Sequence, residues 1–482
     1  MMTREAILGV YEQGRKAVVG LVEALLIRLE EQQEQIGVLG ERIKALEDRL
    51  AKDSHNSSKP PSSDIIPPKP KSLRSKSGKK PGGQAGHAGR TLTLVEEPDL
   101  VVVHNPERCS HCGESLSSPA AVGYERRQVL DLPEMKLRST EHRAESKRCA
   151  GCRHITLAAF PAGVDAMVGY GPRIKSLAIY LNQYQLIPFQ RVHELLEEVF
   201  GCSFSPGSLQ LVISRCYEAL EGTQEAIKRG VQSSKVAHFD ETGLAVGAGR
   251  RWLHVAGTST LTHYAVHPRR GSKAMREIGV LEEFGGVAVH DALYSYGEFP
   301  CAHALCNAHH LRELVFLHEQ HKQEWAGKLK ELLLEIKGAV EQAKQTGDER
   351  LGAGDIAGYE ARYRALVEEG IRENPPRVSG KPGRHKRTKG GNLADRLLKR
   401  EEDVLRFMRD FEVPFDNNQA ERDIRMVKVR QKVSGCFRTE LGAVMFCRIR
   451  GYISTARKQG HNALHALQLA LLSQPLLLVP AE

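Results

Sequence analysis

Lys235–Ala245 reads KVAHFDETGLA. An apolar run carries one acid, Asp240, to its end, and Glu241, Thr242 and Gly243 are then expected to turn the chain. A carboxylate at a strand terminus stands at the edge of a sheet, where it can face solvent and a cation instead of a core. Two later stretches complement it. Gly285–Tyr296 (GGVAVHDALYSY) is a second apolar run ending in an acid, Asp291. Pro414–Lys432 (PFDNNQAERDIRMVKVRQK) has an N-cap signal at Asp416-Asn417-Asn418 and reads as a helix. Helical spacing puts Asn417, Glu421, Arg425 and Lys428 or Lys432 along one face. It puts Ala420, Ile424 and Val427 on another, suited to packing against a sheet.

A lone Glu beside Arg422 and Arg425 is ordinarily an ion pair on a solvated helix. With two acids at strand ends the reading changes. Three ionised carboxylates held together repel and require a cation. Mg²⁺ or Mn²⁺ takes such hard oxygen ligands, and two ions about 3.5–4 Å apart serve phosphodiester chemistry. The expectation is one two-metal site of Asp240, Asp291 and Glu421 acting on DNA. Arg422, Arg425, Lys428 and Arg430 would hold the phosphate backbone, giving position more than sequence.

The flanking periodicity supports a sheet. VAHFDETGLAV, RWLHVAGTS and LTHYAVHP are strand-like runs, SKAMREIGVLEEFG is helical, and GGVAVHDAL and CAHALCNA are strands again. Three strands, a helix and a strand, with acids on the first and fourth strands, predict an RNase H-like α/β core in which the two acid-bearing strands are neighbours. This core would occupy residues 231–320, resume at 411–482 with the third acid and C-terminal helices, and be interrupted by a helical insertion over 321–410. The Gly/Lys/Arg-rich break SGKPGRHKRTKGGN in the insertion reads as a surface loop or as a DNA-contacting one.

Further out, residues 18–52 repeat with a period of seven. Val22, Leu29, Ile36, Ile43 and Leu50 fill one seam position, and Leu25, Gln32, Leu39 and Leu46 the other, so residues 1–52 are expected to form a coiled coil that self-associates. Residues 53–98 form a basic Pro/Ser/Gly-rich linker, either a tether or a phosphate-contacting segment. Cys109-Ser-His-Cys112 and Cys149-Ala-Gly-Cys152, separated by 36 residues, predict a four-thiolate structural zinc within a multi-stranded domain over 99–160. Gly113 and Gly151 are expected to permit the tight turns. Residues 161–230 look helical and resemble a helix-turn-helix DNA-binding region, with Ser205 or Ser208 capping the third helix. The whole is a multidomain α+β chain.

The bulk numbers agree. The chain has 482 residues, 41% hydrophobic and 27% charged, with a formal charge of +10 and pI about 9.0, which suits an anionic partner. The N-terminus has no secretory pattern, no stretch is apolar enough to span a bilayer, and the ten cysteines fit a reducing, cytoplasmic compartment. Cys301, His303, Cys306 and His309 have metal-ligand spacing, but packing at the core or the edge of the site is the favoured reading. His309, His310 and Arg312 could support a phosphate.

The DETG at Asp240, His290–Asp291 followed by Tyr294, Ala304–Leu314 (ALCNAHHLREL) and Asp416–Thr439 (DNNQAERDIRMVKVRQKVSGCFRT) resemble the transposases of the insertion-sequence-66 family. His55–Asp64 (HNSSKPPSSD), Gly451–Leu467 (GYISTARKQGHNALHAL), the heptads and the paired C-x-x-C knuckles are similar too. The resemblance implies a DDE-type recombinase, a metal-dependent polynucleotidyl transferase, whose acids fall on Asp240, Asp291 and Glu421. It implies terminal-inverted-repeat and target DNA as substrates, nucleoid association, and companion proteins encoded by the same element. The alternatives are a non-catalytic DNA-binding regulator of the element and a nuclease that does not join strands.

Overall fold

Alternating apolar residues from Val236 onward build a five-stranded sheet, and the other elements are arranged about it. The computed structural model describes residues 4–53, 55–57, 92–161, 163–376 and 387–478. Most of the basic linker, and the first part of the basic break, lie outside the described residues. In chain order the elements are α1 (Arg4–Glu12), α2 (Arg15–Leu50), β1 (Ser146–Arg148), β2 (Ile155–Leu157), α3 (Pro172–Ile179), α4 (Phe189–Phe200), α5 (Pro206–Ala219), α6 (Glu221–Gln232), β3 (Val236–Val246), β4 (Gly249–Gly257), β5 (Thr262–His267) and α7 (Ser272–Ile278). They continue with β6 (Val287–His290), β7 (Ala302–Leu305), α8 (Asn307–His321), α9 (Glu324–Thr346), α10 (Ala353–Glu373), α11 (Lys389–Lys399), α12 (Glu401–Arg409), α13 (Asn418–Ser434), α14 (Glu440–Lys458) and α15 (Ala463–Leu471).

The strand order is β5-β4-β3-β6-β7. β3 pairs antiparallel with β4, and β4 with β5, whereas β6 lies parallel to β3 and β7 parallel to β6. The two acid-bearing strands are therefore neighbours. The first acid does not end its strand: β3 runs on through DETG to Val246, and the turn comes at Gly247, whose φ is +55°. Pairing with β4 continues to Val246, and Leu244 and Val246 carry the apolar alternation past Asp240. What ends near Asp240 is the pairing with β6, which covers only Val236–His238.

One face of β3 and β4 packs on α13 and α14. Leu244, Val246, Leu253 and Val255 meet Ala420, Ile424, Val427 and Phe446 in one core, so the helical face expected to meet the sheet does so. The stretch after β7 forms a second core, in which Trp325, Leu329, Leu333, Tyr363 and Leu397 join α8–α12. α2 is 36 residues long, with none of them buried, and seam residues such as Ile36 (69% exposed) and Leu50 (81%) face solvent. Its last turn is fastened to the helical insertion by Asp48, which pairs with His321 at 3.1 Å and Lys389 at 2.6 Å. None of the helices, among the described residues, is long and apolar enough to cross a membrane.

Two corrections concern the flanking regions. The expected third helix of the 161–230 segment is divided into α5 and α6 at Leu220 (φ −96°, ψ 7°), and residues 163–171 are not helical. Ser205 caps α5, accepting from Ser208 N at 3.1 Å. In the cysteine region the only strands among the described residues, β1 and β2, flank the second knuckle instead of filling the span between the two.

The described residues divide into two compact units, one drawn from Ser72–Glu141 and Glu194–Ser203, the other from Met1–Lys71, His142–His193 and Phe204–Glu482. In the larger, Gly286 lets β6 approach β3. A Cβ there would fall on the carbonyl oxygens of Lys235 and Ser234, while one at Gly285 would meet nothing. Gly286→Ala should lower stability by about 1–3 kcal/mol, the usual range for overpacking, with Gly285→Ala near neutral. Urea titration of both variants tests this, and equal stability of the two would refute the close-approach reading.

Candidate active site

Three segments far apart in sequence deliver the acids. Asp240 sits on the β3 face that α13 covers, Asp291 follows β6 directly, and Glu421 lies in the first turn of α13. They sense one another. Burial, then Asp291, Glu241 and Glu421, push the Asp240 carboxyl up to about 8, against one favourable hydrogen bond from Glu241 N at 2.8 Å.

His309, four residues past the end of β7, stands between the other two acids. Its Nδ1 is 3.0 Å from Asp291 Oδ1 and its Nε2 is 3.9 Å from Glu421 Oε1. The shorter contact is misaligned for a hydrogen bond, so both atoms are buried without a hydrogen-bond partner. Burial opposes charge on His309, but Asp291 and Cys306 outweigh it and raise the imidazole to about 10. An imidazolium thus neutralises part of the acidic site. Arg312 Nη2 lies 4.0 Å from Glu421.

The site suits a hard divalent cation. A buried Asp291 oxygen lacks a donor, and Asp240 is reluctant to ionise among like charges. The three acids do not close on one point: among the described residues the group with ligand atoms within 4.8 Å of one another is Asp291, Cys306 and His309. Mutually repelling carboxylates without a counter-ion are expected to stand apart. Cys301 and His303 do not join that group. His303 bonds His290 at 3.0 Å and the Phe299 carbonyl at 3.1 Å, and His290 is fully buried against Tyr296, its pKa pushed down by burial to about 3.

The sequence pattern marks Asn417 as a helix start, and the structure gives its side chain a different place. It occupies the N-cap position of α13, yet its side chain makes no cap. Fully buried, it bonds His238 Nδ1 at 2.9 Å and donates to the Phe239 carbonyl at 2.8 Å. Its backbone N–H points at Cys306 Sγ, 3.2 Å away. Asp416 Oδ1 accepts from Asn418 N at 3.0 Å. The DNN motif gave the signal, but a helix start explains Asn equally well, and only the tertiary contact distinguishes the two.

The four cations differ in availability. Arg422 and Arg425 are exposed, with Arg422 bonded to Gln419 at 2.8 Å. Lys428 donates to the Gly243 carbonyl at 2.8 Å. Arg430 is turned onto Phe437, 3.4 Å from the ring centroid, and burial lowers its pKa to about 10.

Both cysteine knuckles fold alike. Cys109 O accepts from Gly113 N and Cys149 O from Arg153 N, each at 2.9 Å. Backbone N–H groups of Cys112 and His111 lower the Cys109 thiol pKa, and those of Cys152 and Gly151 lower that of Cys149. Gly113 takes the left-handed conformation (φ +79°), but in the second knuckle Arg153 (φ +60°), not Gly151, takes it.

Comparison with known families gives three matches. Residues 168–445 match a model described as transposase IS66 family, and residues 106–153 match the zinc-finger binding domain of IS66 transposases. Residues 15–93 match a family of unknown function. Comparison with curated proteins gives no match.

The Asp240 shift fixes a pH dependence. Its folded pKa of about 8 exceeds the ordinary 3.8, so the folded chain retains a proton that the unfolded chain releases. This contribution to stability is fully present below about pH 4 and lost as pH rises to about 8. Without metal, Asp240→Asn should therefore melt above wild type at pH 8 and level with it near pH 4. Mg²⁺ should raise the wild-type melting temperature and leave the variant's nearly unchanged. A metal-free wild type more stable than the variant at pH 8 would contradict the assigned burial and repulsion.

Proposed function

The chain belongs to the IS66 family of transposases, and we propose that Asp240, Asp291 and Glu421 are the acids with which it cleaves DNA strands and joins them to a target. The observation that carries the reading is that the three acids surround the place where β6 stops pairing with β3, near enough for Asp291 and Glu421 to help hold the Asp240 carboxyl up to about 8. The strand order, three antiparallel strands followed by two parallel ones, supports an RNase H-like core.

Two Mg²⁺ ions held by these acids would activate the attacking water or 3′-hydroxyl and stabilise the leaving oxygen. The protein's own part is to hold the oxygen ligands on rigid elements. Asn417 aligns α13 against β3, setting Glu421 one turn beyond the clamp. His309 carries positive charge between Asp291 and Glu421 until the cations arrive. Arg422 and Arg425 are exposed near Glu421, where they can meet phosphates, with Lys428 further along the helix. Arg430 contributes by packing on Phe437.

The zinc-finger match supports a structural zinc, which we assign to Cys109, Cys112, Cys149 and Cys152 because the matched segment contains all four and each knuckle favours the thiolate. The exposed α2 seam is assigned to self-association. The basic charge and the α3–α5 region are assigned to end recognition.

The test uses a labelled duplex of the element's end, Mg²⁺ and a target plasmid. Wild type should nick the end and yield joined product. Asp240→Asn, Asp291→Asn and Glu421→Gln should each remove both products, by at least about a thousandfold (~4 kcal/mol), while binding the end. Activity surviving all three substitutions would sink the proposal. Binding without products in every protein, even with the companion proteins present, would point to a regulator.

A further inference from the structure

Past its pairing with β6, β3 continues as one arm of a hairpin. From Glu241 to Leu244 it is laddered to β4 on one side only. On the open edge the Gly243 carbonyl accepts Lys428 Nζ at 2.8 Å. The guanidinium of Arg250 lies directly over the α-carbon of Gly243. A Cβ there would come within 2.7 Å of Nη2 and 2.9 Å of Nε, so the absence of a side chain admits the arginine. Arg250 also lies over the Trp252 ring, 4.5 Å from its centroid, and Arg270 approaches the same ring at 5.0 Å. Arg270 is fixed by Glu241 at 2.7 Å, and Glu241 is steadied by the Tyr296 hydroxyl at 2.6 Å.

The charges do not balance. Arg250, Arg270 and Lys428 gather round one indole and one strand edge, and among the described residues the only carboxylate bonded to any of them is Glu241, on Arg270. Burial and Arg250 together lower the proton affinity of Lys428, so the cations feel each other's repulsion. Stacking on an indole holds a guanidinium's plane while leaving its edge donors free. A preorganised, under-neutralised group of this kind attracts an anion.

Its position defines which anion. Gly243 is three residues beyond Asp240, about 10 Å along the strand, and its Cβ direction, where Arg250 lies, is on the opposite face from the Asp240 carboxylate, with Lys428 reaching the edge between the two. Lys428 is seven residues beyond Glu421, about 10 Å along the helix. A nucleic-acid strand rising about 3.4 Å per nucleotide covers that distance in about three nucleotides. We infer that Arg250, Trp252, Arg270 and Lys428 form a clamp for the DNA sugar-phosphate backbone, about three nucleotides from the phosphate at the acids, with Gly243 the residue that makes room for it. The location of the cleaved phosphate rests on the reading of Asp240, Asp291 and Glu421 above.

The test measures binding of a short fluorescein-labelled duplex of mixed sequence over a range of NaCl concentrations, with Ca²⁺ in place of Mg²⁺. Arg250→Ala and Lys428→Ala should each weaken binding and reduce the slope of log K against log[salt] by about one. Gly243→Ala retains every cation yet displaces the guanidinium, and should also weaken binding. Arg250→Lys should recover the slope but not the full affinity. Melting curves check that each variant is folded. Wild-type affinity and slope in both Arg250→Ala and Gly243→Ala would overturn the clamp. Asp240→Asn separates this from the catalytic assignment. It should bind with wild-type slope and cleave nothing in Mg²⁺, and cleavage by it would refute the assignment of the acids without touching the clamp.

Discussion

The geometry of the candidate site depends on the side chain of Asn417. A helix N-cap ordinarily spends such a side chain on its own first turn. Here the amide reaches across to β3, bonding His238 and the Phe239 carbonyl, while its backbone N–H meets Cys306 at the start of α8. Three segments are tied at one buried point, and each leads within a few residues to a group in the site: Asp240, His309 and Glu421. Leaving such buried groups unpaired costs about 1–3 kcal/mol each, so the alignment is strongly held. The apolar contacts of Ala420, Ile424 and Val427 fix how α13 lies on the sheet, and the polar clamp fixes its register.

Around that point the electrostatics run against stability. Asp240 is pushed up by burial and neighbouring acids, and Lys428 is pushed down by burial and Arg250. Unfavourable charge on both sides of one strand is hard to explain as scaffolding, because apolar residues would hold the same backbone without the repulsion. It follows directly if the acids await cations and the cations await phosphates. Local conflicts of this kind, set in an otherwise consistent core, are expected at functional sites.

The alternation of apolar residues made the strands legible, and with them the adjacency of the two acid-bearing strands. The 3.6-residue spacing in α13 exposed its sheet-facing side. The end of β3 was not legible: Glu-Thr-Gly resembles a turn, and only the β4 partner carries the strand through it. Nor could local pattern show that Arg430, one residue in a row of cations, would stack on Phe437. His309 stood in plain sight as a strand-end histidine. Its place between Asp291 and Glu421 depends on where α13 returns, which is a tertiary fact.

That return explains how a long helical insertion coexists with an exact site. The chain leaves the sheet at Cys306 and comes back at Asn417, 111 positions later, and the two residues touch. Asn307 N also donates to the Phe415 carbonyl at 3.1 Å. The insertion therefore begins and ends at one spot and has a hydrophobic core of its own, built on Trp325 and Tyr363. Lengthening a closed segment adds only about 0.6 kcal/mol of closure entropy per doubling, so its size places little demand on the acids. The insertion is also where Asp48 at the end of α2 is fastened, to His321 and Lys389. The body that carries α2 is held to the sheet by α12 as well as at its two ends, Arg406 Nε donating to the His303 carbonyl of β7 at 2.7 Å, so the helix with the exposed seam is joined to the sheet through packed elements and not through a loose tether.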